Sequence, residues 1–263
     1  MQKYIDIHSH LNLEPLNADH EGVIARMVEN NVSTITIGVD YETSKQAIKI
    51  ANKYDFVWAG VGLHPTDNTN EIFNIEKYEI LAQDKKVVCV GECGLDYFRG
   101  ADENIKEKQK EIFKKHIELA IKMKKPLMIH ARPSKGSMDA YEDALDILEN
   151  YKKEHGSILS GNFHFFVGDI NIAKRAMNID FTMSFDGPIT FTSDYDEVIR
   201  FLPLEYIMSE TDAPFAAPVP YRGKTCEPYM VCEIVKAIAR IKELPENEVA
   251  EAIIKNAKRV FSV

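Results

Sequence analysis

Residues 3–12 read KYIDIHSHLN and predict the first strand of the fold. The β-branched and aromatic residues over 4–8 are typical of a buried strand. His8 and His10 stand two residues apart, and side chains at i and i+2 of a strand point to the same face. Two neighbouring imidazoles suit a metal ion, although a core histidine held by hydrogen bonds would explain either one alone. The rest of the chain must decide between these interpretations.

Short apolar segments alternate with longer amphipathic ones along the remaining sequence. The predicted strands are 4–8, 33–38, 56–63, 87–92, 127–130, 158–165, 179–185 and 205–209. The predicted helices are 20–30, 43–54, 72–82, 103–124, 138–153, 169–176, 194–201, 228–241 and 246–260. Eight strands alternating with helices, without a Pro/Gly/Ser-rich linker, predict an α/β fold in which residues 1–263 form a single (β/α)8 TIM barrel domain. A doubly wound open sheet is the alternative.

Three local features add detail. Thr43-x-x-Gln46 predicts a capping box at the start of a helix. The segment 103–124 repeats its apolar residues at spacings of three and four, which predicts one buried helical face. His116 lies on that face and is interpreted as a core or rim histidine. Cys89 is interpreted as a small buried apolar residue.

Composition limits the classes of function. The chain has 263 residues, of which 45% are hydrophobic, so a substantial core is expected. A net charge of −9 argues against a broad basic surface for nucleic acid, but not against a local phosphate pocket. The sequence has neither a signal-peptide pattern nor an apolar run of roughly 18 residues, which predicts a cytoplasmic protein that does not enter a membrane. No stable protein partner is indicated.

Seven polar residues fall at the ends of predicted strands: His8, His10, His64, Glu92, His130, His164 and Asp212. In a TIM barrel the carboxyl ends of the strands meet at one mouth, so these side chains are expected to converge. Imidazoles and carboxylates without a thiolate favour Zn²⁺, Mn²⁺, Fe²⁺ or Mg²⁺. Four of these histidines together with the two carboxylates already exceed what one catalytic ion would use. They fit two divalent ions bridged by one carboxylate.

With these residues in place, the chain resembles the TatD family of metal-dependent hydrolases within the amidohydrolase superfamily. The resemblance extends over nearly the whole length and rests on DIHSHLN, GVGLHP, VGECGLDYF, HIELAIKMKKPLMIHAR, FHFFVGD, MSFDGPITF, SETDAPF and YRGKTCEP. It implies a DNA-hydrolysing enzyme, typically a 3′→5′ exonuclease active on single strands and damaged ends.

The resemblance also implies roles for individual residues. One ion would be held by His8, His10, Glu92 and Asp212, and the second by Glu92, His130 and His164, with Glu92 bridging. Asp212 would accept the proton of the attacking water, which makes Asp212 and Glu92 the implied catalytic residues. His64 would touch the substrate phosphate. Arg132 and Arg222 stand in matching motifs and are the expected substrate contacts.

The sequence departs from the family pattern at three places. The usual HCF-x-G is HFFVG here, which keeps His164 but loses the following cysteine. The segment 131–145 after His130 is longer than is common. Thr225 and Cys226 replace a basic and an amide side chain near the expected substrate mouth, so this departure concerns substrate binding and not the expected metal ligands.

Three further cations, Arg99, Lys135 and Lys224, lie on loops expected at the mouth, like the two arginines above. They could contact DNA phosphates locally.

Two other functions are alternatives to DNA hydrolysis. The same metal-binding barrel could instead hydrolyse a small-molecule ester, lactone or amide, or deacylate an aminoacyl-tRNA. A non-enzymatic barrel would be expected to lose some of the six metal-binding residues, and all six are present.

Overall fold

The computed structural model describes residues 3–66, 71–99 and 101–263. Across these residues one eight-stranded sheet runs in the order β1 to β8, with every neighbouring pair parallel. The strands are β1 (Tyr4–Ser9), β2 (Val32–Ile37), β3 (Val57–Val61), β4 (Val87–Asp96), β5 (Leu127–Arg132), β6 (Gly161–Phe163), β7 (Phe181–Phe185) and β8 (Ile207–Ser209).

Helices connect the consecutive strands, as parallel pairing requires, and further helices follow the last strand. They are α1 (His20–Glu29), α2 (Tyr41–Ala51), α3 (Ile75–Ala82), α4 (Glu103–Met123), α5 (Asp139–His155), α6 (Ile170–Asn178), α7 (Asp196–Phe201), α8 (Val231–Lys242) and α9 (Glu246–Phe261). Among the described residues, no helix is both long and apolar enough to cross a membrane.

The sheet closes by bringing β8 beside β1. Ser9 forms a parallel bridge with Ala213, and the Ser209 hydroxyl donates a hydrogen bond to the Ile5 carbonyl at 2.9 Å. The prediction of a (β/α)8 TIM barrel is therefore confirmed, and the open sheet is wrong. Closure places the carboxyl ends of all eight strands around one opening.

Several element boundaries differ from the sequence prediction. Strand β4 continues to Asp96, beyond the predicted end at 92, while β6 pairs only over Gly161–Phe163. The predicted capping box is wrong, because α2 already begins at Tyr41. Its cap is Asp40, whose carboxylate accepts from the Thr43 amide at 2.7 Å, while the Thr43 hydroxyl accepts from the Asp40 amide at 2.9 Å.

The long strand β4 lies very close to β5, and glycine permits this. Gly91 and Gly94 have φ of +146° and +138°, values that residues other than glycine rarely adopt. A Cβ at either position would clash with a backbone carbonyl oxygen of β5, at Met128 or His130. These two glycines thus hold Glu92, which lies between them, against β5.

The apolar faces of the helices pack on the outside of the barrel and form the main core. Helix α4 buries the face predicted from its periodicity, with His116 fully buried among apolar residues. Its Nδ1 lies 2.9 Å from the Ile112 carbonyl, and its Nε2 lies 3.0 Å from the Leu63 amide. The interpretation of His116 as a core histidine is confirmed, and so is that of Cys89, which is fully buried.

Candidate metal centre

The opening of the barrel gathers the six residues that the sequence proposes as metal ligands: His8, His10, Glu92, His130, His164 and Asp212. They come from β1, β4 and β5 and from the turns after β1, β6 and β8. Closure of the barrel is what brings together residues so far apart in sequence. His64, from the turn after β3, joins the same cluster.

Glu92 lies at the middle of the cluster, and its two carboxylate oxygens face different nitrogen atoms. Oε2 lies 3.3 Å from His8 Nε2 and 3.7 Å from His10 Nε2. Oε1 lies 2.9 Å from His164 Nε2, 3.0 Å from His130 Nδ1 and 3.3 Å from His64 Nε2. The cluster is therefore two adjoining sets of donor atoms that share one carboxylate.

Asp212 completes the first set. Its Oδ1 lies 3.4 Å from His10 Nε2 and 3.7 Å from His8 Nε2, and these two nitrogens are 3.2 Å apart. Asp212 has a φ of +52°, a left-handed conformation that aspartate tolerates better than most residues. Its amide donates to the His8 carbonyl at 2.9 Å. This backbone geometry directs the carboxylate from the turn after β8 towards β1.

Three histidines have a second partner on the side of the ring away from the cluster. His10 Nδ1 lies 2.9 Å from the Ile37 carbonyl, which can only accept a hydrogen bond. His130 Nε2 lies 3.1 Å from Asp96 Oδ2, and His164 Nδ1 lies 3.3 Å from Glu210 Oε1. Donation to these partners leaves the opposite nitrogen with a lone pair directed into the cluster. Such outer partners are typical of histidines that ligate metals.

These nitrogen lone pairs and carboxylate oxygens converge at 2.9–3.7 Å, an arrangement of electron-pair donors that a cation would stabilise. Three overlapping groups of side chains could each hold an ion: His8, Glu92 and His164; His8, His10 and Asp212; and His64, Glu92 and His130. The donor set therefore fits borderline or hard divalent ions.

The electrostatics agree with this fit. Burial raises the pKa of the Glu92 carboxyl, but His164, His64 and His8 outweigh burial and hold that pKa well below its usual range. Burial lowers the pKa of His164, but Glu92 and Glu210 outweigh it and raise that pKa well above its usual range. Without a metal, protons on histidine balance the carboxylates, so the cluster attracts positive charge.

Sequence reasoning missed four buried acids around the cluster: Asp6, Asp96, Asp186 and Glu210. Asp6 accepts from the Thr211 amide and hydroxyl at 3.0 and 2.6 Å, which ties β1 to the turn that carries Asp212. The sequence contained a signal for Asp6 and Asp96 in the period-two spacing of their strands. Asp6 precedes His8 by two positions, and Asp96 follows Glu92 by four, so each shares a strand face with a predicted ligand.

A cavity of about 1140 Å³ opens above the cluster. Its lining includes His10, Glu92, His130, His164 and Asp212, and also His64. The segment 132–138 after β5 forms one wall, so the longer loop noted in the sequence shapes this cavity. Of the expected phosphate contacts, Arg99, Arg132 and Lys135 line it.

Arg222 and Lys224 are not among the described residues that line the cavity. Arg222 Nη1 donates to the Ala217 carbonyl at 3.0 Å, and its guanidinium lies 4.0 Å from the centre of the Phe191 ring. Thr225 is exposed outside the cavity. Cys226 is buried, with Sγ 3.8 Å from the Thr211 carbonyl. The break in the family pattern therefore lies behind the turn that carries Asp212.

Comparisons with known proteins agree with this geometry. The family model described as TatD related DNase matches residues 5–262. A Bacillus subtilis protein named "Uncharacterized metal-dependent hydrolase YabD" is 37% identical over 264 residues, which cover 98% of each chain. A Mycoplasma genitalium protein named "Uncharacterized metal-dependent hydrolase MG009" is 35% identical over 271 residues, covering 98% of this chain and 99% of that one.

A solved structure gives the same result for the fold. The crystal structure of YJJV, described as a TatD homolog from Escherichia coli K12, superposes with a TM-score of 0.89 at 25% identity. The superposition covers 100% of this chain and 99% of that chain. The whole barrel, including every strand end that contributes to the cluster, thus has a counterpart in that structure.

Proposed function

Because the chain belongs to the TatD-related DNase family of metal-dependent hydrolases, we propose that it hydrolyses phosphodiester bonds of DNA, as a 3′→5′ exonuclease acting on single-stranded or damaged ends. The observation that supports this most directly is the division of the Glu92 carboxylate between two sets of histidines. That division matches a two-metal centre, which is well suited to phosphodiesters because it stabilises both the attacking and the leaving oxygen.

In this proposal the cluster would hold two divalent ions. His8, His10, Glu92 and Asp212 would hold one, and Glu92, His130 and His164 would hold the other. When bound, such ions lower the pKa of a coordinated water and neutralise charge on the phosphoryl oxygens. The ions are Zn²⁺, Mn²⁺, Fe²⁺ or Mg²⁺, all compatible with a set of imidazoles and carboxylates.

Asp212 accepts the proton of the attacking water. Its side chain is 15% exposed and lines the cavity, whereas the Glu92 side chain is 5% exposed. Burial raises the pKa of Asp212, but His10 and His8 outweigh burial and keep that pKa below its usual range. Asp212 is therefore an ionised carboxylate within reach of the substrate. Glu92 is confined among histidines and serves to join the two sets of donors.

The phosphates of the DNA backbone are held by polar side chains at the cavity wall. Arg132 and His64 both line the cavity, and so do Arg99 and Lys135. The positive charges at this wall allow a chain with a net charge of −9 to bind a polyanion locally, at the cavity. We do not extend this role to Arg222, because Arg222 lies outside the cavity lining.

The test is degradation of end-labelled single-stranded DNA by chelator-stripped protein to which Mg²⁺, Mn²⁺ or Zn²⁺ is restored separately. We expect stepwise shortening from the 3′ end only when a metal is present. Absence of cleavage with every ion, in folded protein that binds two metals per chain, would contradict the proposal. Comparison of p-nitrophenyl phosphodiesters with p-nitrophenyl esters would then test the alternative of small-molecule ester, lactone or amide hydrolysis, or of aminoacyl-tRNA deacylation.

A further inference from the structure

Two phenylalanine side chains at the cavity are largely exposed. Phe98, after β4, is 49% exposed, and Phe215, after β8, is 54% exposed. Both line the cavity above the cluster. An aromatic ring left exposed in this cavity forgoes the free energy it would gain from burial. Such a ring is available to an aromatic or apolar part of a ligand.

The backbone amide of each phenylalanine donates a hydrogen bond to an aspartate at or beside the cluster. The Phe98 amide donates to Asp96 Oδ1 at 3.1 Å, and Oδ2 of the same carboxylate lies 3.1 Å from His130 Nε2. The Phe215 amide donates to the Asp212 carbonyl at 2.9 Å, and its ring centre lies 6.3 Å from that of His10. Strands β4 and β8 are four positions apart in an eight-stranded barrel, so the rings stand on opposite walls with the cluster between them.

The surroundings of Phe98 combine an aromatic face with positive charge. The Arg132 guanidinium lies 4.0 Å from the centre of the Phe98 ring, and Arg99 is the next residue in the chain. Proteins that bind single-stranded nucleic acid use this combination, in which aromatic rings stack on bases and cations follow the phosphates. A small ester or lactone would not need two separated rings together with several cations.

We propose that Phe98 and Phe215 are stacking surfaces for two unpaired nucleobases, one on each side of the phosphodiester that is cleaved. This rests on the proposed function, because it assumes a phosphodiester at the cluster. In a duplex end the last two bases are paired and stacked on each other, so they would have to unpair and separate before they could reach rings on opposite walls. Phe98 and Phe215 therefore set the preference for single-stranded over duplex ends.

The test combines ring substitutions with removal of the bases. Phe98→Leu and Phe215→Leu keep an apolar side chain but lose the aromatic face. The substrates are a single-stranded oligonucleotide and the same chain with tetrahydrofuran abasic residues at its two 3′-terminal positions. From the usual contribution of base–aromatic stacking, we expect each variant to lose about 5- to 150-fold in kcat/KM on the normal substrate. On the abasic substrate we expect less than about 2-fold loss, since that chain offers nothing to stack.

Phe191→Leu is the matched control. Phe191 is 46% exposed and has an arginine guanidinium 4.0 Å from its ring, as Phe98 does, but it does not line the cavity. We expect Phe191→Leu to leave the ratio between the two substrates unchanged. Equal losses on normal and abasic chains, or a loss in Phe191→Leu as large as in Phe98→Leu, would overturn the proposal.

A readout without turnover separates failure of stacking from failure of the proposed function. The fluorescence of a 3′-terminal 2-aminopurine is measured on binding to the Mn²⁺-loaded Asp212→Asn variant, with and without Phe98→Leu. Quenching that depends on Phe98 supports stacking even if no DNA is hydrolysed. Hydrolysis of DNA without such quenching would overturn stacking and leave the phosphodiesterase intact.

Discussion

Asp96 Oδ2 lies 3.1 Å from His130 Nε2, on the opposite side of the imidazole from Glu92, whose Oε1 is 3.0 Å from Nδ1. The ring is thus held between two carboxylates. Burial lowers the pKa of His130, but Asp96 and Glu92 outweigh burial and raise it. Asp96 fixes both the orientation of the ring and the nitrogen that keeps a proton when the other nitrogen binds a cation.

Asp96→Asn tests this arrangement. We expect the affinity for divalent metal to fall by about 10- to 100-fold, the usual cost of losing the outer partner of a ligating histidine. Isothermal titration of stripped protein with Mn²⁺ measures the change. Asp143→Asn is the control, since Asp143 also accepts a hydrogen bond, from the Tyr97 hydroxyl at 2.8 Å, but does not contact a histidine of the cluster. Equal affinities in wild type and Asp96→Asn would show that His130 needs no such partner.

Asp212→Asn separates proton transfer from metal binding. The amide keeps an oxygen near His10 but is a far weaker proton acceptor than the carboxylate. We expect kcat on single-stranded DNA to fall at least about 10²-fold, the usual scale of general-base catalysis, while part of the metal is retained. Rates and metal content are measured on the same preparation, with Asp180→Asn, whose side chain pairs with Arg259 at 3.7 Å, as the control. A rate near that of wild type would exclude Asp212 as the proton acceptor.

Arg132 and Arg222 are both expected substrate contacts from the sequence, and the structure gives them different surroundings. Each guanidinium lies 4.0 Å from a phenylalanine ring, but only Arg132 lines the cavity. We therefore expect Arg132→Ala to raise KM for DNA by about 10- to 150-fold, in line with the loss of a hydrogen bond to a charged group. A smaller change is expected for Arg222→Ala. Steady-state kinetics at fixed ionic strength compare the two, and equal increases would indicate that Arg222 reaches the substrate from outside the cavity.

The sequence was most informative where the chemistry of a residue and the periodicity of its element agree. His8 and His10 were identifiable because period-two spacing places them on one face, and the other four proposed ligands because each falls at or near the end of an apolar segment. Barrel closure then required all six to meet. The same logic could have included Asp6 and Asp96, which share strand faces with His8 and Glu92.

Other features depend on contacts between distant segments, and no local pattern encodes them. Glu210 is recognisable only once β6 and β7 lie beside β8, where its carboxylate accepts from the Phe165 amide at 2.6 Å and lies 2.5 Å from the Ser184 hydroxyl. The position of Arg222 is another example, because its motif matches the family while its guanidinium packs on Phe191. The early start of α2 was missed because Asp40 and Thr43 form the cap instead of Thr43 and Gln46.

The buried histidine of α4 predicts a pH dependence of stability. Donation from His116 Nδ1 to the Ile112 carbonyl leaves Nε2 to accept from the Leu63 amide, so both contacts require the neutral ring. Burial lowers the pKa of His116 from 6.5 to about 4. Between these pH values the unfolded chain binds a proton that the folded protein excludes, so stability is lost as the pH falls below 6.5. The loss from this residue approaches about 3 kcal/mol near pH 4, at about 1.4 kcal/mol for each unit of pKa difference.

Urea unfolding of wild type and His116→Gln, from pH 7.5 down to 4.5 with chelator present throughout, measures this contribution. Glutamine does not titrate in this range, so we expect the free energy of unfolding of the variant to fall less steeply than that of wild type below pH 6.5. His155→Gln, at the partly exposed end of α5, is the control and should retain the wild-type slope. Parallel pH profiles for wild type and His116→Gln would mean that the protonated imidazole is accommodated in the folded barrel, and that acid destabilisation has its origin in other groups.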